Sequence, residues 1–557
     1  MANPSASSDK QAFPVLDVSQ IGKLRPFGTT RKTRPDEVLV EIGDHIPGLF
    51  VVLEGQTKII DRANDDRVIR TSGPGEFNGE LGILTGQRAF IACVGDTPST
   101  LLFVPSAKVS EIIANIPELS DILVTAFAAR RQLLMQGVVA SLTIIGPEDD
   151  SKVLQLLEFS DRDRIPYRWL DPSNPHDTSS IATCGSPAGS AFRVVLGKRR
   201  VLDRPTPQQL ARAIGLELDL KEDKVCDLIV IGAGPAGLAA AVYGASEGLS
   251  TIVAEDTAIG GQAGTSSRIE NYVGFPAGIS GNDLAFRAEV QALKFDARIT
   301  VPRRATALVK RQDSYAVQLD EGAALLGRSV VIATGARYRR LALTGQDAFA
   351  EAIYYAATDL EARRCRGQEV AVIGGANSAG QAAMFLSRYA SRVQLLCRNS
   401  DLRIKMSQYL VNRLEHTPNV EICLDTEATQ LHGHETLERI TITNRATGAS
   451  KDVAAHGIFV MIGADPCTEW LKGSVALDDK GFVCAGKGTD TPFATSHAGV
   501  FAVGDVRSGS VKRVASAVGE GSVVVQAVHH HLALLREATP NANGRTVTPK
   551  QSSERSC

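Results

Sequence analysis

No two of the nine cysteines in this 557-residue chain (Cys93, Cys184, Cys226, Cys365, Cys397, Cys423, Cys467, Cys484 and Cys557) stand in C-x-x-C spacing. Local spacing therefore offers neither a zinc site nor a redox dithiol, and most of these thiols are expected to act as small buried hydrophobes. An excess of one charge is lacking too. Lys+Arg number 60 against 62 Asp+Glu and the pI is near 6.6, so no global basic field argues for nucleic acid. No apolar run is long enough to span a bilayer, and the first ten residues are small and polar, without the apolar core of a signal peptide. These absences predict a cytoplasmic protein with no membrane and no nucleic-acid partner. The length exceeds what one hydrophobic core supports, so about two to four domains are expected.

What is present is organised around Leu228-Ile229-Val230-Ile231-Gly232-Ala233-Gly234-Pro235-Ala236-Gly237. An apolar β-branched run enters a G-x-G-x-x-G turn and leaves as an alanine-rich helix; a second β run, Thr251–Ala254, ends at Glu255. This is the pattern of a dinucleotide-binding βαβ unit. Gly232 permits the tight turn, Gly234 lets the backbone approach a pyrophosphate, and Gly237 lets the helix pack on the sheet. Pro235 and Ala236 open the helix whose free N–H groups face the phosphates, and Glu255 is placed to accept from an adenosine ribose.

Upstream, short alternating strands (Val38–Glu41, Leu49–Leu53, Thr57–Ile60, Leu101–Val104) separated by glycine turns predict an antiparallel β-barrel. Between them Phe77-Asn78-Gly79-Glu80-Leu81 leads to Arg88-Ala89. This stretch resembles the phosphate-binding cassette of cyclic-nucleotide-binding domains. The resemblance implies Glu80 as ribose ligand and Arg88 as phosphate ligand, with Phe77, Gly79, Leu81 and Ala89 around them. Ala89, where cGMP-preferring relatives carry Thr, leans toward cAMP over cGMP; the alternative is a structural Arg88–Glu80 pair with no ligand. Apolar residues at helical spacing from Ser106 to Gln136 resemble the helices that report ligand binding in that family, and no DNA-reading helix-turn-helix follows.

The segment 141–219 reads β-α-β…β-α: a strand at Ser141–Ile145, a helix around Val153–Phe159, strands at Ile165–Leu170 and Phe192–Leu196, and a helix from Pro207 to Ile214. It resembles a shortened thioredoxin- or glutaredoxin-like domain without C-x-x-C. Cys184 stands alone there, and the segment is read as a spacer with no chemistry.

From Cys226 to Leu534 the chain resembles bacterial thioredoxin reductases. Gly260-Gly261-Gln262, Glu270-Asn271, Thr334-Gly335, Gly504-Asp505 and Arg513-Val514-Ala515 match that family's FAD-domain motifs. The resemblance assigns FAD to Gly261, Gln262, Asn271, Thr334, Gly335, Gly504, Asp505, Arg513, Val514 and Ala515, alongside the residues of the first unit. A second nucleotide unit, Gly374-Gly375-Ala376-Asn377-Ser378-Ala379, carries Ala376 where the family usually has glycine. With Ile462 and Gly463 it implies an NAD(P)H site. Arg398 and Arg403 are retained from the cluster that grips the 2′-phosphate of NADPH; otherwise they are solvated charges.

Thioredoxin reductases have C-A-T-C before this unit, where Ala356 and Asp359 stand here. Neither can attack a disulfide. The resemblance then points to the ferredoxin/flavodoxin–NADP reductase type, fused to a cyclic-nucleotide-binding domain. The catalytic set is empty, since the chemistry belongs to the flavin. Arg337, Arg339 and Arg340, and Arg363, Arg364 and Arg366, are candidate docking clusters for an acidic ferredoxin or flavodoxin. The expected organisation is a multidomain chain: a cyclic-nucleotide-binding β-barrel with helices (14–140), the thioredoxin-like spacer (141–219), a discontinuous FAD domain (226–340 and 465–536), an NAD(P)H domain (341–464), both Rossmann-like, and a disordered tail (537–557). A homodimer is implied by the family. Rival readings are a disulfide reductase using remote cysteines, an NADPH oxidase, and a flavoprotein scaffold without turnover.

Overall fold

The computed structural model describes residues 10–62, 66–136, 142–183, 192–197, 200–216, 224–266, 268–339, 341, 343–355, 357, 359–486, 488–489 and 491–538. Arg340, Ala356, Cys184 and Cys557 lie outside the described residues, as does the tail from 539 onward.

Eight strands form the N-terminal β unit: β1 Thr29–Thr33, β2 Val38–Val40, β3 Gly48–Glu54, β4 Thr57–Asp61, β5 Arg67–Ser72, β6 Phe77–Asn78, β7 Ala92–Gly95 and β8 Ser99–Pro105. They make two four-stranded antiparallel sheets, ordered β1-β8-β3-β6 and β2-β7-β4-β5. Side chains of both sheets meet in one cluster, Leu39, Val40, Phe50, Val52, Cys93 and Leu101, as alternating inward residues of a closed β structure do. Helices Ser106–Asn115 and Pro117–Gln136 follow, separated at Ile116, because the residue before a proline avoids the helical region. They bury Val109, Ile112, Leu119, Leu123 and Phe127 against Leu49 and Phe77.

The next unit contains β9 Leu142–Ile145, β10 Arg168–Leu170, β11 Arg193–Leu196 and β12 Arg200–Asp203. Its order is β10-β9-β11-β12, with β10 parallel to β9 and the other two pairings antiparallel. Helices Ser151–Arg162, Thr178–Thr183 and Pro207–Ile214 complete a β-α-β-α-β-β-α chain path, adding one strand and one helix to the sequence expectation. Pro207–Ile214 starts at a capping box on Thr206 and Gln209 and stops at left-handed Gly215, so both ends are written in local sequence.

The third unit is a seven-stranded sheet of β13 Cys226–Ile231, β14 Thr251–Ala254, β15 Arg298–Thr300, β16 Ala305–Lys310, β17 Tyr315–Leu319, β18 Ala324–Ile332 and β29 Val500–Ala502. Its order runs β15-β14-β13-β18-β17-β16, with β29 added in parallel to β18. The chain leaves it through β19 Ala336–Tyr338 and returns through β28 Ala464–Pro466, which pair with each other as a two-stranded ribbon. Between these lie a five-stranded parallel sheet, β20 Ile353–Tyr354, β27 Gly457–Val460, β21 Glu369–Ile373, β22 Arg392–Leu396 and β23 Val420–Cys423 in that spatial order, and a three-stranded antiparallel sheet, β24 Thr426–Gly433, β25 Leu437–Asn444 and β26 Ser450–Ala454. The central strands of the parallel sheet read as continuous apolar runs, Val370–Ile373 in β21 and Ile458–Val460 in β27, because both faces are covered.

The last helix, Val514–Ala538, packs Val524, Val525, Val528 and Leu532 beside Ala236 and Ala240 of helix Pro235–Ser246. It includes Glu537 and Ala538, so the tail expected to be disordered from 537 begins two residues inside this helix. A flexible-looking composition is overridden there by continuation of a helix already docked along its apolar face. Among the described residues no helix is long and apolar enough to cross a membrane.

Candidate functional site

Strand β13 delivers the chain to the carboxyl edge of its sheet at Gly232, whose φ of 104° is left-handed. A Cβ there would overlap Ala333 O, at the end of the neighbouring β18. Gly237 is tighter still, since an added Cβ would overlap Gly232 O. Gly234, the N-cap of helix Pro235–Ser246, has nothing within 4 Å of a would-be Cβ. The three glycines thus differ: two are closed by backbone, and one fronts open space beside helix N–H groups, where a pyrophosphate fits.

Glu255 follows β14 and is buried; its carboxylate accepts from Ala233 N–H at 2.6 Å and Thr257 N–H at 3.0 Å. Burial raises its pKa, against the pull of those two bonds. The turn after it folds back onto the glycine loop. Gly260 N–H donates to Ala233 O at 2.8 Å, and a Cβ on Gly261 would stand 3.1 Å from Gly234 Cα. Gln262 Nε2 is buried without a hydrogen-bond partner, an unmet donor in a polar crevice.

The distant second half reaches the same crevice. Thr334 Oγ1 donates to Cys467 O at 2.8 Å, Gly335 is left-handed at φ 65°, and Gly504 N–H donates to Glu520 at 2.7 Å. A Cβ on Gly504 would lie 3.0 Å from Ala236 Cβ, which brings it to the first helix. Burial raises the Asp505 pKa. Asn271, Arg513 and Ala515 are exposed and Val514 half-buried; the Arg513 carbonyl accepts from Ala517 N–H at 3.0 Å as the final helix opens. Gly521 went unread in the sequence: its Cβ would overlap Ala236 O, so the two long helices cross there without a side chain between them.

The second unit is looser. Gly374 (φ 152°) ends β21 where a Cβ would overlap Met461 O, and a Cβ on Gly375 would stand 2.5 Å from Cys397 Sγ. Helix Asn377–Leu386 has Ala376 as N-cap with no side-chain cap, leaving its first N–H groups for a ligand. Asn377 Oδ1 accepts from Ser407 N–H at 2.7 Å, which commits that side chain to the next helix. Ser378 is exposed, Ala379 fully buried. Half-buried Ile462 precedes left-handed Gly463, whose carbonyl accepts from Arg339 N–H at 2.8 Å. Arg398 is exposed, whereas Arg403 pairs with Glu415 at 2.8 Å and lies 3.5 Å from Asp401.

In the β unit, Glu80 and Arg88 flank the one-turn helix Gly82–Thr85. Glu80 Oε2 accepts from Arg131 Nη2 at 2.9 Å while Oε1 is buried without a partner. Arg88 Nη1 donates to Gly43 O at 2.9 Å while its Nε is buried and unmet. Phe77 and Gly79 carbonyls accept from Arg130 at 3.0 and 2.6 Å, and Leu81 and Ala89 are buried beneath the cassette. An acceptor and a donor with spare capacity in one buried cassette fit the ribose and phosphate of a cyclic nucleotide. Sequence alone missed Arg131, which arrives from helix Pro117–Gln136.

The docking clusters are partly occupied by the chain itself. Arg337 pairs with Asp256 at 2.7 Å and Arg339 with Asp465 at 3.1 Å, both guanidiniums remaining more than half exposed. Arg364 turns instead to Glu148, donating to its carbonyl at 3.3 Å, and Arg366 lies over the Tyr389 ring. Of this run Arg364 is half-buried, turned toward the α/β unit, whereas Arg363 and Arg366 remain exposed. Asp359 begins helix Asp359–Arg364.

The family model described as Pyridine nucleotide-disulphide oxidoreductase matches residues 226–521, over half of the chain. The chain belongs to this family. A second model, the cyclic nucleotide-binding domain, matches residues 30–115. The 34.2 kDa protein in rubredoxin operon of Clostridium pasteurianum is 33% identical over 304 residues, 55% of this chain and 96% of that protein. Thioredoxin reductase of Streptomyces clavuligerus is 31% identical over 316 residues, 56% of this chain and 96% of that one. Among solved structures, T. acidophilum thioredoxin reductase aligns with a TM-score of 0.53 at 27% identity, covering 56% of this chain and 100% of its own. The chain is thus an FAD-dependent NAD(P)H oxidoreductase carrying an N-terminal cyclic nucleotide-binding domain, and the crevices above fit those ligands.

Proposed function

We propose that this oxidoreductase takes electrons from NADPH and passes them to a ferredoxin or flavodoxin, under control of a cyclic nucleotide, cAMP by preference. The observation that carries this reading is the replacement of the relatives' C-A-T-C by Ala356-Ala357-Thr358-Asp359. When bound, the flavin accepts hydride from the nicotinamide and can release electrons singly, so an outlet without thiols is available. The chain's own part is placement: the Gly232–Gly237 loop, Glu255 and the Gly260–Gln262 turn hold one dinucleotide, and the Gly374–Ala379 loop and Arg398 hold the other.

The remaining cysteines are poor substitutes for the lost pair. All seven among the described residues are free. Burial pushes Cys93 and Cys226 up to about 12, and Cys365, Cys423 and Cys467 up to about 11. A thiol so raised holds little thiolate at neutral pH. Exposed Arg337 and Arg339 support a docking role for an acidic carrier, and the exposed Val523 and Leu534 of the final helix support pairing as a homodimer.

The test is anaerobic. NADPH should bleach the flavin's visible band, and ferredoxin or flavodoxin should then restore it, whereas thioredoxin should not. Efficient reduction of thioredoxin would overturn the reading, NADPH consumption that follows oxygen alone would replace it with an oxidase, and an unbleached flavin would leave a scaffold.

A further inference from the structure

The residues 161–164, where helix Ser151–Arg162 of the α/β unit ends, touch both ligand-binding units. Arg162 Nη2 donates to Gly261 O at 2.9 Å, and Asp163 Oδ1 accepts from Ile259 N–H at 3.1 Å. Both partners belong to the turn that lies against Gly234 and carries the unmet Gln262 amide. The same segment is clamped from below: Asn282 Nδ2 donates to Asp161 O at 3.2 Å, and Arg164 pairs with Asp283 and lies over the Phe286 ring. On its other side Arg164 O accepts from Arg131 Nη1 at 3.4 Å, and Arg131 Nη2 reaches Glu80 at 2.9 Å.

We propose that Arg162 and Asp163 are positioning residues of the flavin-side turn Ile259–Gln262, and that Arg131 ties them to the cyclic-nucleotide cassette through Glu80. The proposal rests on the reading of those two pockets given above and names the route between them.

The route is physical because its charges are enclosed. The Arg131 side chain is 1% exposed and that of Glu80 9%. A ribose hydroxyl donating to Glu80 draws on the same carboxylate that holds Arg131, and a guanidinium loosened in a closed site cannot retreat into water. Its displacement is carried by what it packs on, the Phe90 ring and the Arg164 carbonyl. Cassette and α/β unit are joined a second time by Arg88 N–H, which donates to Ile214 O at 2.8 Å. At the far end, the position of Gly261 O is set by a cationic donor, a stronger anchor than a neutral group, and that of Ile259 N–H by the Asp163 carboxyl. Burial and the neighbouring Glu289 and Glu255 raise the Asp163 pKa, as expected for a carboxylate committed to one backbone donor in a closed site.

The experiment uses the full-length protein loaded with FAD, in wild-type, Arg162→Met, Arg162→Lys and Arg131→Met forms. The flavin visible band and midpoint potential are recorded first without nucleotide, then with saturating cAMP and separately cGMP. Binding of each nucleotide is followed by calorimetry. Arg162→Met should shift both flavin signals, and Arg162→Lys should return them toward wild type. The nucleotide should perturb the wild-type flavin signals, and Arg162→Met and Arg131→Met should cut that response by about fivefold or more, with nucleotide binding to Arg162→Met preserved. Should Arg131→Met fail to fold, Arg131→Lys, which keeps the charge, takes its place. A flavin band and potential in Arg162→Met equal to wild type would overturn the positioning role. An undiminished nucleotide response in the variants would overturn the link. A wild-type protein that holds FAD but binds neither nucleotide would overturn the pocket reading and the link together, while the comparison of Arg162→Met with Arg162→Lys would still decide the positioning role.

Discussion

In the unit built on β13, Gly237 lies so close to the preceding turn that a methyl group would overlap Gly232 O. In the unit built on β21 the same step of the motif is Ala379, whose methyl is already packed and fully buried. The second glycine differs as well, Gly234 in one and Ala376 in the other. So one helix is drawn onto its strand with bare backbone at each approach, and the other stands off by the thickness of a methyl. The strand ends differ in sign: buried Glu255 closes the first, exposed Arg398 the second. The tighter unit suits a cofactor that stays, the looser one a nucleotide that exchanges each turnover.

The strongest way to break this contrast is to exchange the residues. Gly237→Ala should cost about 3 kcal/mol or more, since the obstacle is backbone that cannot repack. The protein should lose flavin on purification, measured by the ratio of flavin to protein absorbance, and melt well below wild type. Ala379→Gly, the opposite exchange, should cost only about 1 kcal/mol, from lost helix propensity and a small void. Equal effects of the two would remove the distinction between the units.

A subtler change separates packing from ligand. Gly234 has φ −71° and ψ −179°, open to any residue, and no neighbour within 4 Å of its Cβ position. Gly234→Ala should therefore leave the stability of the FAD-free protein unchanged to within about 0.5 kcal/mol. Its FAD affinity should nonetheless fall by about tenfold or more, because the methyl occupies the pyrophosphate's approach. Equilibrium titration of the flavin-stripped protein checks this; unaltered affinity would mean that the phosphates lie elsewhere.

Both dinucleotide loops were legible because their meaning is local: glycines at fixed offsets, a β run before, a helix after. The cassette at Glu80 and Arg88 was legible for the same reason. Strand β5 was not, since Arg67-Val68-Ile69-Arg70 lies at a sheet edge with its apolar residues exposed and shows no alternation. Nor could sequence pattern find Arg131 or Arg162, whose partners Glu80 and Gly261 lie 51 and 99 positions away. The α/β unit, read as a spacer for want of a dithiol, holds the flavin-side turn through side chains on which no motif bears.

The smallest expected effect concerns the cation at the second strand end. Arg398 makes no side-chain hydrogen bond among the described residues, whereas Arg403 is shared between Glu415 and Asp401. A guanidinium already neutralised by two carboxylates gains less from a phosphate than a solvated one, because the new partner must displace the old. Arg398→Ala should therefore raise the KM for NADPH by about fivefold and Arg403→Ala by about twofold. With NADH, which lacks the 2′-phosphate, neither variant should move KM. The ratio of the two KM values, measured on one enzyme preparation, cancels differences in folding and flavin content. An Arg398→Ala enzyme that loses NADH and NADPH equally would place this arginine outside the 2′ site and leave the strand-end contrast to Glu255 alone.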